Sequence, residues 1–310
     1  MSTEITIIKL SESRLADLAK LFKLVFNVEH SIEYLKRKYT PSNSLPSYSG
    51  FFAYINSEPI AFCGGIPCNM SFNDYAFKGM QFCDTMTLHN WSGKGVFHKV
   101  SKALEQYALN HNIVFHYAFL NEHSYWAYKK KLDWEIIGNM RRYTIKGSNI
   151  PWYKFFSKIK SIEHWHNSYV QKKLANHLLI STYENKPITK NTCYIVKEDN
   201  FFNNLPSNHY FLDIDGNSIW LKLKNEGHLG AINFTSNTNV PKFLKTLKQA
   251  LKELGIQKLY IQLLEGTPNQ ILMEKSIQSL DSWHIGAKSF DDRISTKNIH
   301  LVYGDIDTFI

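Results

Sequence analysis

The stretch CDTMTLHNWSGKGVF, residues 83–97, decides the fold and gives the first indication of function. Its first half has the pattern of a β-strand, one residue then separates Gly93 from Gly95, and a helical pattern begins at Val96. A strand, a glycine turn and a helix N-terminus in succession commonly hold phosphate groups on backbone N–H groups. The stretch therefore predicts an anion site, although no arginine accompanies its glycines.

Patterns on both sides of this stretch predict a definite order of elements. A helix that Ser11 or Ser13 is predicted to cap follows a short first strand, and a second helix covers residues 32–38. From Gly50 onward the pattern is typical of an antiparallel meander. Its predicted turns are Asn56–Ser57, Asn73–Asp74 and Lys78–Gly79. The predicted order over residues 4–147 is β-α-α-β-β-β-α-β-α-β, with the glycine turn between the fourth strand and the third helix.

The second half of the chain repeats this order in a weaker form. It begins with three predicted strands, which turn at Asp215–Gly216 and Glu226–Gly227. A strongly amphipathic helix follows and ends at Gly255. A strand and a helix come next, and a last strand over residues 299–306 completes the series. We interpret this half as a diverged structural repeat that lacks a glycine-rich turn before its helix, and we expect no phosphate site there.

Composition limits the class of protein. The chain has 310 residues, of which 44% are hydrophobic and 20% are charged, and this favours folded domains with packed cores. It shows no apolar run near the roughly 20 residues of a membrane-spanning helix and no signal-peptide pattern, so we expect a cytoplasmic protein. The cysteines lack CxxC spacing and the histidines lack metal-ligand spacing, which predicts buried thiols and no metal site.

Two motifs resemble those of an acyltransferase family. Residues 84–97 resemble the D-T-M-T-H-P-x-Y-R-G-K-G-x-F signature of a two-domain branch of the GNAT acyltransferases, and residues 121–138 (NEHSYWAYKKKLDWEIIG) resemble the N-x-x-S and K-K-L-G-W pattern of that branch. The resemblance implies an α+β GNAT fold, a mixed central sheet flanked by helices, in residues 1–147. It further implies a basic amphipathic connector, 148–206, and a second, degenerate GNAT-like domain, 207–310.

The resemblance also implies acetyl-CoA as the acyl-donor co-substrate. The backbone at the end of the fourth strand would pair with the pantetheine arm, and N–H groups of the glycine turn would hold the pyrophosphate. The implied donor-binding residues are Met86, Thr87, Leu88, Ser92, Gly93, Lys94, Gly95, Val96, Phe97 and Asn121. Ser92 stands where the family has arginine, so we expect Lys94 to replace that charge in part. A plain strand-to-helix turn is the alternative.

Acid–base candidates follow less directly. Position 129, where many family members carry a tyrosine acid, is a lysine, so Tyr128 is our candidate for the general acid, with Tyr125 one helical turn earlier as another. A purely structural tyrosine is the alternative. Asp84 opens the predicted fourth strand, CDTMTL, and is an acid within a strand. It is our candidate for the base or amine-orienting residue, with a structural hydrogen bond as the other interpretation. Weaker candidates, each with a loop, cap or turn role as the alternative, are His89, Glu122, His123, Asp305 and Asp307.

Basic charge is concentrated in one segment. Residues 141–175 contain eight Lys and Arg residues and one acid, Glu163, in a chain of net charge +9. Aromatic and aliphatic residues recur there at helical spacing, namely Trp152, Phe155, Phe156, Ile159, Ile162 and Trp165. Three interpretations stay open for residues 150–175: a connector packed between the halves, a membrane-surface helix, or a contact for an acyl carrier protein. No nucleic-acid-binding motif accompanies the charge, so we expect no nucleic acid.

These patterns and the resemblance predict an acyl-CoA-dependent N-acyltransferase that transfers an acetyl group to a small amine by direct attack on the thioester. An amino sugar or sugar nucleotide is the first candidate acceptor, because relatives in this branch are often associated with surface-polysaccharide pathways. The alternatives are a catalytically silent acyl-CoA-binding protein, and an acyltransferase associated with a membrane or a carrier protein. The oligomeric state stays open.

Overall fold

The computed structural model describes residues 4–41, 45–156, 159, 163–178, 191–197, 201 and 205–309. Contacts divide the chain into two units. Unit 1 comprises Met1–Ile137, Thr189–Val196 and His284–Ile299, and unit 2 comprises Gly138–Ile188, Lys197–Trp283 and His300–Ile310. Parts of the predicted connector, among them Ile162, lie outside the described residues.

Unit 1 confirms the predicted order of elements. Along the chain these are β1 (Thr6–Lys9), α1 (Leu15–Phe26), α2 (Ile32–Tyr39), β2 (Gly50–Ile55), β3 (Glu58–Phe72), β4 (Tyr75–Thr87), α3 (Val96–Asn110), β5 (Ile113–Leu120), α4 (Glu122–Lys131) and β6 (Glu135–Lys146), whose later part belongs to unit 2. Strands β1 to β4 pair antiparallel in sequence order, and β4 pairs parallel with β5. Helix α3 packs its buried face, including Val100 and Leu104, on this mixed sheet.

The meander has two of its three predicted turns. Residues at Asn56–Ser57 and Asn73–Asp74 have positive φ and join the strands. The predicted turn at Lys78–Gly79 is wrong, because β4 runs through it and Gly79 pairs with Cys68. A Cβ at position 79 would lie 2.2 Å from Met70 Sδ, so this glycine serves close packing and not a change of direction.

The predicted cap of α1 is also wrong. Arg14 is the N-cap residue and no side chain caps the helix. The hydroxyls of Ser11 and Ser13 lie 2.9 Å apart and bond to each other instead. In contrast, Ser31 accepts a hydrogen bond from the backbone N–H of Tyr34 and so caps α2.

The remaining elements supply the sheet of unit 2 and complete that of unit 1. They are α5 (Trp152–Phe156), α6 (Glu163–Leu174), β7 (Cys193–Ile195), β8 (His209–Ile214), β9 (Asn217–Leu223), β10 (Gly227–Asn233), α7 (Val240–Glu253), β11 (Lys258–Leu264), α8 (Pro268–Glu274), β12 (Leu280–Ser289) and β13 (Ile299–His300). In unit 2 the strand order is β6-β11-β10-β9-β8, with β10 and β11 parallel. In unit 1 the end of β12 pairs antiparallel with β5, and β7 pairs with β3.

Unit 2 confirms the three-stranded meander and the amphipathic helix. Positive φ at Asp215 and Gly216 turns β8 into β9, and Phe243, Leu247 and Leu251 of α7 are buried in its core. The predicted last strand over 299–306 is wrong. The strand after α8 is β12, and β13 covers only Ile299–His300. Val302 forms a single bridge just before a tight turn at Tyr303–Asp305.

Within the described residues, no helix has both the length and the apolar character needed to cross a bilayer.

Candidate functional site

Strands β4 and β5 separate at one end of unit 1. Their parallel ladder begins at Lys78 and Ile113 and, within these two described strands, ends where Gln81 lies opposite Tyr117. Strand β4 nevertheless continues to Thr87 and β5 to Leu120, and each keeps its pairing on the outer side, with β3 and β12 respectively. The inner edge of β4 beyond Gln81 therefore borders a gap in the sheet.

Strand β4 bulges beside this gap. Gly64 lies opposite Cys83, but Phe62 lies opposite Met86, so β4 has one extra residue here. Asp84 has a φ of 47°, a left-handed value that is uncommon outside glycine. A bulge re-aims the side chains around it. Asp84 thus lies near the end of β4, not at the opening of a strand as predicted.

The backbone direction of β4 follows from one hydrogen bond. Leu88 N–H donates to the carbonyl of Ile60 at 2.9 Å, so the polar backbone groups of Leu88 face β3. Successive residues of a strand direct these groups to opposite sides. Those of Met86 accordingly face β3 as well, and those of Thr87 face the gap. Among the three residues expected to pair with a donor through their backbone, Thr87 has the orientation this requires.

The glycine turn joins the end of β4 to α3. Gly93 and Gly95 have φ values of 76° and 78°, which favour glycine. A Cβ at either position would meet no atom within 4 Å, so both open onto free space. Gly95 is the N-cap residue of α3 and no side chain caps the helix, which leaves its first N–H groups without intrahelical acceptors. This open surface of donors fits a pyrophosphate.

The side chains around the turn either anchor it or lie in solvent. Val96 is buried in the core of unit 1, and the Phe97 ring lies 5.5 Å from that of Tyr128. Ser92 is exposed. The ammonium of Lys94 lies 4.7 Å above the Trp91 ring. The turn itself therefore presents mainly backbone N–H groups to the open space beside it.

Tyr128 is buried beside this turn. It is 1% exposed, and its hydroxyl lies 3.0 Å from the Thr85 hydroxyl. Burial raises the pKa of Tyr128 well above its usual value, so the phenol keeps its proton. The alternative, Tyr125, is partly exposed and accepts a hydrogen bond from Lys129 Nζ at 3.2 Å. Tyr128 therefore has a retained proton and a position beside both the bulge and the turn.

Asp84 is held by two neighbouring residues of α2. Lys38 Nζ lies 2.7 and 2.9 Å from the two carboxylate oxygens, and the Tyr39 hydroxyl donates to Oδ2 at 2.6 Å. The Lys38 and Asp84 side chains are only 5% and 8% exposed. Sequence reasoning missed both partners, since Lys38 ends a basic run that is typical of a solvent-exposed helix end. We call Lys38, Tyr39 and Asp84 the α2 clamp.

The other sequence candidates lie outside this cluster. Asn121 caps α4, because its side chain accepts a hydrogen bond from Ser124 N–H at 2.9 Å. His89, Glu122 and His123 are exposed at the starts of short helical segments. In unit 2, Asp305 accepts a hydrogen bond from Val302 N–H at 2.8 Å within its turn, and it forms a buried ion pair with Lys197. Asp307 is partly exposed.

Unit 2 has a comparable separation of strands, but its own C-terminal segment lies there. The ladder of β10 and β11 ends at Leu229 and Ile261, while Val302 forms an antiparallel bridge with Leu263. The other edge of Leu263 is already paired with β6, so Val302 lies on the edge that faces β10. The turn Tyr303–Asp305 contacts both strands. The second gap is therefore filled from within the chain.

Solved structures match this architecture, although no protein-family model and no curated protein matches the chain. A GCN5-related N-acetyltransferase from Kribbella flavida is similar with a TM-score of 0.57 at 6% identity, over 92% of this chain and 71% of its own. Another from Anabaena variabilis gives 0.56 at 11% identity, over 93% and 73%. An Enterococcus faecalis protein of unknown function, described as a probable N-acyltransferase, gives 0.59 at 10% identity, over 93% and 73%.

This chain has the GNAT fold. Identities this low establish the architecture alone, and the assignment of individual residues rests on the geometry of the gap, the bulge and the glycine turn. The GNAT fold of this chain accordingly includes one open strand gap, in unit 1, and one filled strand gap, in unit 2.

Proposed function

We propose that this protein is an acyl-CoA-dependent N-acyltransferase that transfers an acetyl group to a small amine. One observation carries the proposal: the open gap beside β4 leads directly into the uncapped glycine turn at the start of α3. A gap in a sheet suits an extended amide-containing arm, and the turn suits the diphosphate at the end of that arm. The likeness to N-acetyltransferase structures supports the same reaction class.

Unit 1 would act mainly by positioning the acyl donor. The backbone of Thr87 would pair with the arm in the gap. The N–H groups of Gly93 and of Gly95 to Phe97 would bind the pyrophosphate, since the Lys94 N–H donates to the Trp91 carbonyl. A backbone N–H at the β4 edge would polarise the thioester carbonyl, because a fixed donor stabilises the negative charge that develops on that oxygen. A neutral amine then attacks the thioester carbon, and the carbon–sulfur bond breaks.

Tyr128 is the proposed proton donor to the departing thiolate. Its raised pKa keeps the phenol protonated, and general-acid help of this kind contributes roughly 100-fold or more to a rate. Thr85, 3.0 Å away, orients the hydroxyl. The thiol leaves with this proton, and Tyr128 regains one from water as the acceptor nitrogen releases a proton on forming the amide.

Asp84 is proposed to orient the incoming amine. Its carboxylate already accepts hydrogen bonds from Lys38 and Tyr39, and lone pairs remain for a further N–H donor. The α2 clamp fixes these lone pairs relative to the β4 edge. The acceptor amine would lose its proton to a water molecule, or would bind already in its neutral form. Asp84 is the negative charge near it in either case.

Turnover with a panel of amines tests the proposal. Acetyl-CoA is supplied with amino sugars, sugar nucleotides bearing amines, amino acids and polyamines, and release of free thiol is followed. We expect acceptor-dependent release with at least one class, amino sugars being the first choice. Donor binding without release for any amine would support the catalytically silent alternative. Absence of donor binding would contradict the proposal itself.

A further inference from the structure

A group of aromatic side chains lies on the surface of unit 2. Trp152 stacks on Phe156 with ring centroids 6.0 Å apart, Phe156 meets Trp165 at 6.4 Å, and Trp165 stacks on Tyr169 at 6.0 Å. Trp152 and Trp165 nevertheless remain 50% and 62% exposed, and the neighbouring Phe155 is 58% exposed. We call these five residues the aromatic row. Contiguous exposed apolar surface of this kind marks an interaction site.

The aromatic row is held against the C-terminal end of α7 by its own Tyr169 and by the adjacent Tyr153. Tyr153, which is buried, donates its backbone N–H to the Gly255 carbonyl at 3.4 Å. The Tyr169 hydroxyl donates to the Glu253 carbonyl at 3.1 Å. A Cβ at Gly255 would lie 2.6 Å from Trp152 Cβ, so glycine allows this close approach. The exposed rings are therefore presented outward from a fixed base.

Exposed lysines accompany the aromatic row. Lys154 lies beside Phe155 in α5, and Lys172 follows Tyr169 by about one turn in α6. Lys173 lies 3.8 Å from Glu253, which offsets one charge.

We propose that the aromatic row and its surrounding lysines bind the surface of an anionic lipid bilayer. Tryptophan and tyrosine rings favour the level of the headgroups, and phenylalanine rings enter the boundary with the acyl chains. Lysines beside them contact lipid phosphates while their stems remain in the apolar layer. Half-exposed rings on short helices, with lysines between them, match this interface better than they match a shaped protein groove. The surface is independent of the donor site, so either proposal can fail alone.

Vesicle co-sedimentation of the full chain tests the proposal. One set of vesicles contains phosphatidylcholine alone, and the other contains equal parts of phosphatidylcholine and phosphatidylglycerol. We expect binding to the anionic set only, and weaker binding as salt screens the charges. The variant Trp152→Ser/Phe155→Ser/Trp165→Ser should bind roughly tenfold more weakly or worse, since the rings supply the apolar contact. Serine keeps the Cβ of Trp152 that packs near Gly255.

Trp126→Ser is the matched control. This tryptophan of α4 is 59% exposed, and two lysines, Lys129 and Lys130, lie 5.9 and 5.5 Å from its ring. We expect its removal to leave vesicle binding unchanged, and Lys154→Glu/Lys172→Glu to weaken it. Failure of the wild-type chain to bind anionic vesicles would overturn the proposal. So would equal binding to both vesicle sets, or binding to an acidic acyl carrier protein and not to vesicles.

Discussion

The Tyr128 hydroxyl lies 3.0 Å from the Thr85 hydroxyl. Thr85 follows Asp84 at the bulge of β4. The Tyr128 ring also lies 5.5 Å from the ring of Phe97 at the start of α3. The bulge, the glycine turn and α4 thus meet at one buried phenol. This places a retained proton beside the proposed path of the acyl donor.

Tyr128→Phe should lower the maximal rate roughly 100-fold with little change in acetyl-CoA affinity, because it removes a proton donor and not a binding group. The free energy of unfolding should fall by about 1 kcal/mol, since Thr85 loses a hydrogen-bond partner. Steady-state kinetics and thermal unfolding measure the two effects. Tyr125→Phe is the control, and an equal loss of rate in both variants would argue against Tyr128 as the acid.

The α2 clamp predicts a strong coupling between Lys38 and Asp84. Either Lys38→Met or Asp84→Asn removes one charge of a buried ion pair and leaves the other charge without its counter-charge at this site, which should cost about 3–5 kcal/mol of unfolding free energy. The double variant should cost less than the sum of the two, and denaturant titration of all four proteins gives the coupling. Asparagine suits this comparison because it tolerates the positive φ of position 84. Additive losses would show that the ion pair contributes no stability of its own.

His116 predicts a dependence of stability on pH. It is fully buried, both ring nitrogens lack hydrogen-bond partners in the described structure, and burial lowers its pKa to about 4. The nearby charges that act on it are Glu105, Lys288 and Lys102. A lowered pKa means that the unfolded chain takes up a proton first, so stability should fall as pH drops from 6.5 towards 4, by up to about 1.4 kcal/mol per pH unit.

His116→Leu removes this proton uptake. The free energy of unfolding should therefore change less with pH below pH 6.5, by up to about 1.4 kcal/mol per pH unit. Leucine has a similar volume, and the site is lined by apolar rings, with those of Phe82 and Phe290 each 5.0 Å away. Exposed His123→Leu serves as the control. Identical pH profiles for wild type and His116→Leu would contradict the assignment.

The C-terminal segment predicts one acyl-CoA per chain. Because Val302 occupies the free edge of Leu263, the gap in unit 2 has no room for a second donor, and calorimetry should give a stoichiometry of one. Gly304→Ala would place a Cβ 2.2 Å from the Trp220 ring and should destabilise the protein by about 1–3 kcal/mol without weakening donor binding. Gly138→Ala, whose Cβ would lie 3.4 Å from Leu264 Cδ1, is the milder control. Two equal binding sites would contradict this account.

The order of elements in unit 1 was predictable because it depends on local signals. Apolar residues recur with a different period in strands and in helices. The glycines at the start of α3 lie at positions with positive φ, which favour glycine. The turn expected at Gly79 failed because a glycine can also serve packing, here against Met70. Strand β12 was missed because Gly286 interrupts its apolar pattern, although that glycine makes room for Leu120.

The partners of Asp84 could not be predicted in this way. An acid within a strand drew attention to position 84, but its counter-charge, Lys38, lies at the end of a helix 46 residues earlier. Only the tertiary fold brings α2 to the bulge. Local pattern therefore predicts the backbone of the donor site, which depends on turns and strand edges, better than it predicts long-range side-chain pairs.

The most direct test of the donor site is calorimetry of acetyl-CoA with Gly95→Glu and Gly216→Glu. Both glycines have nearly the same φ, 78° and 77°, and at both a Cβ would meet no atom within 4 Å, so the strain of substitution is matched. We expect micromolar binding by the wild type and by Gly216→Glu, and no measurable binding by Gly95→Glu, whose carboxylate would repel the pyrophosphate. Equal binding by the two variants, or no binding by the wild type, would contradict the account.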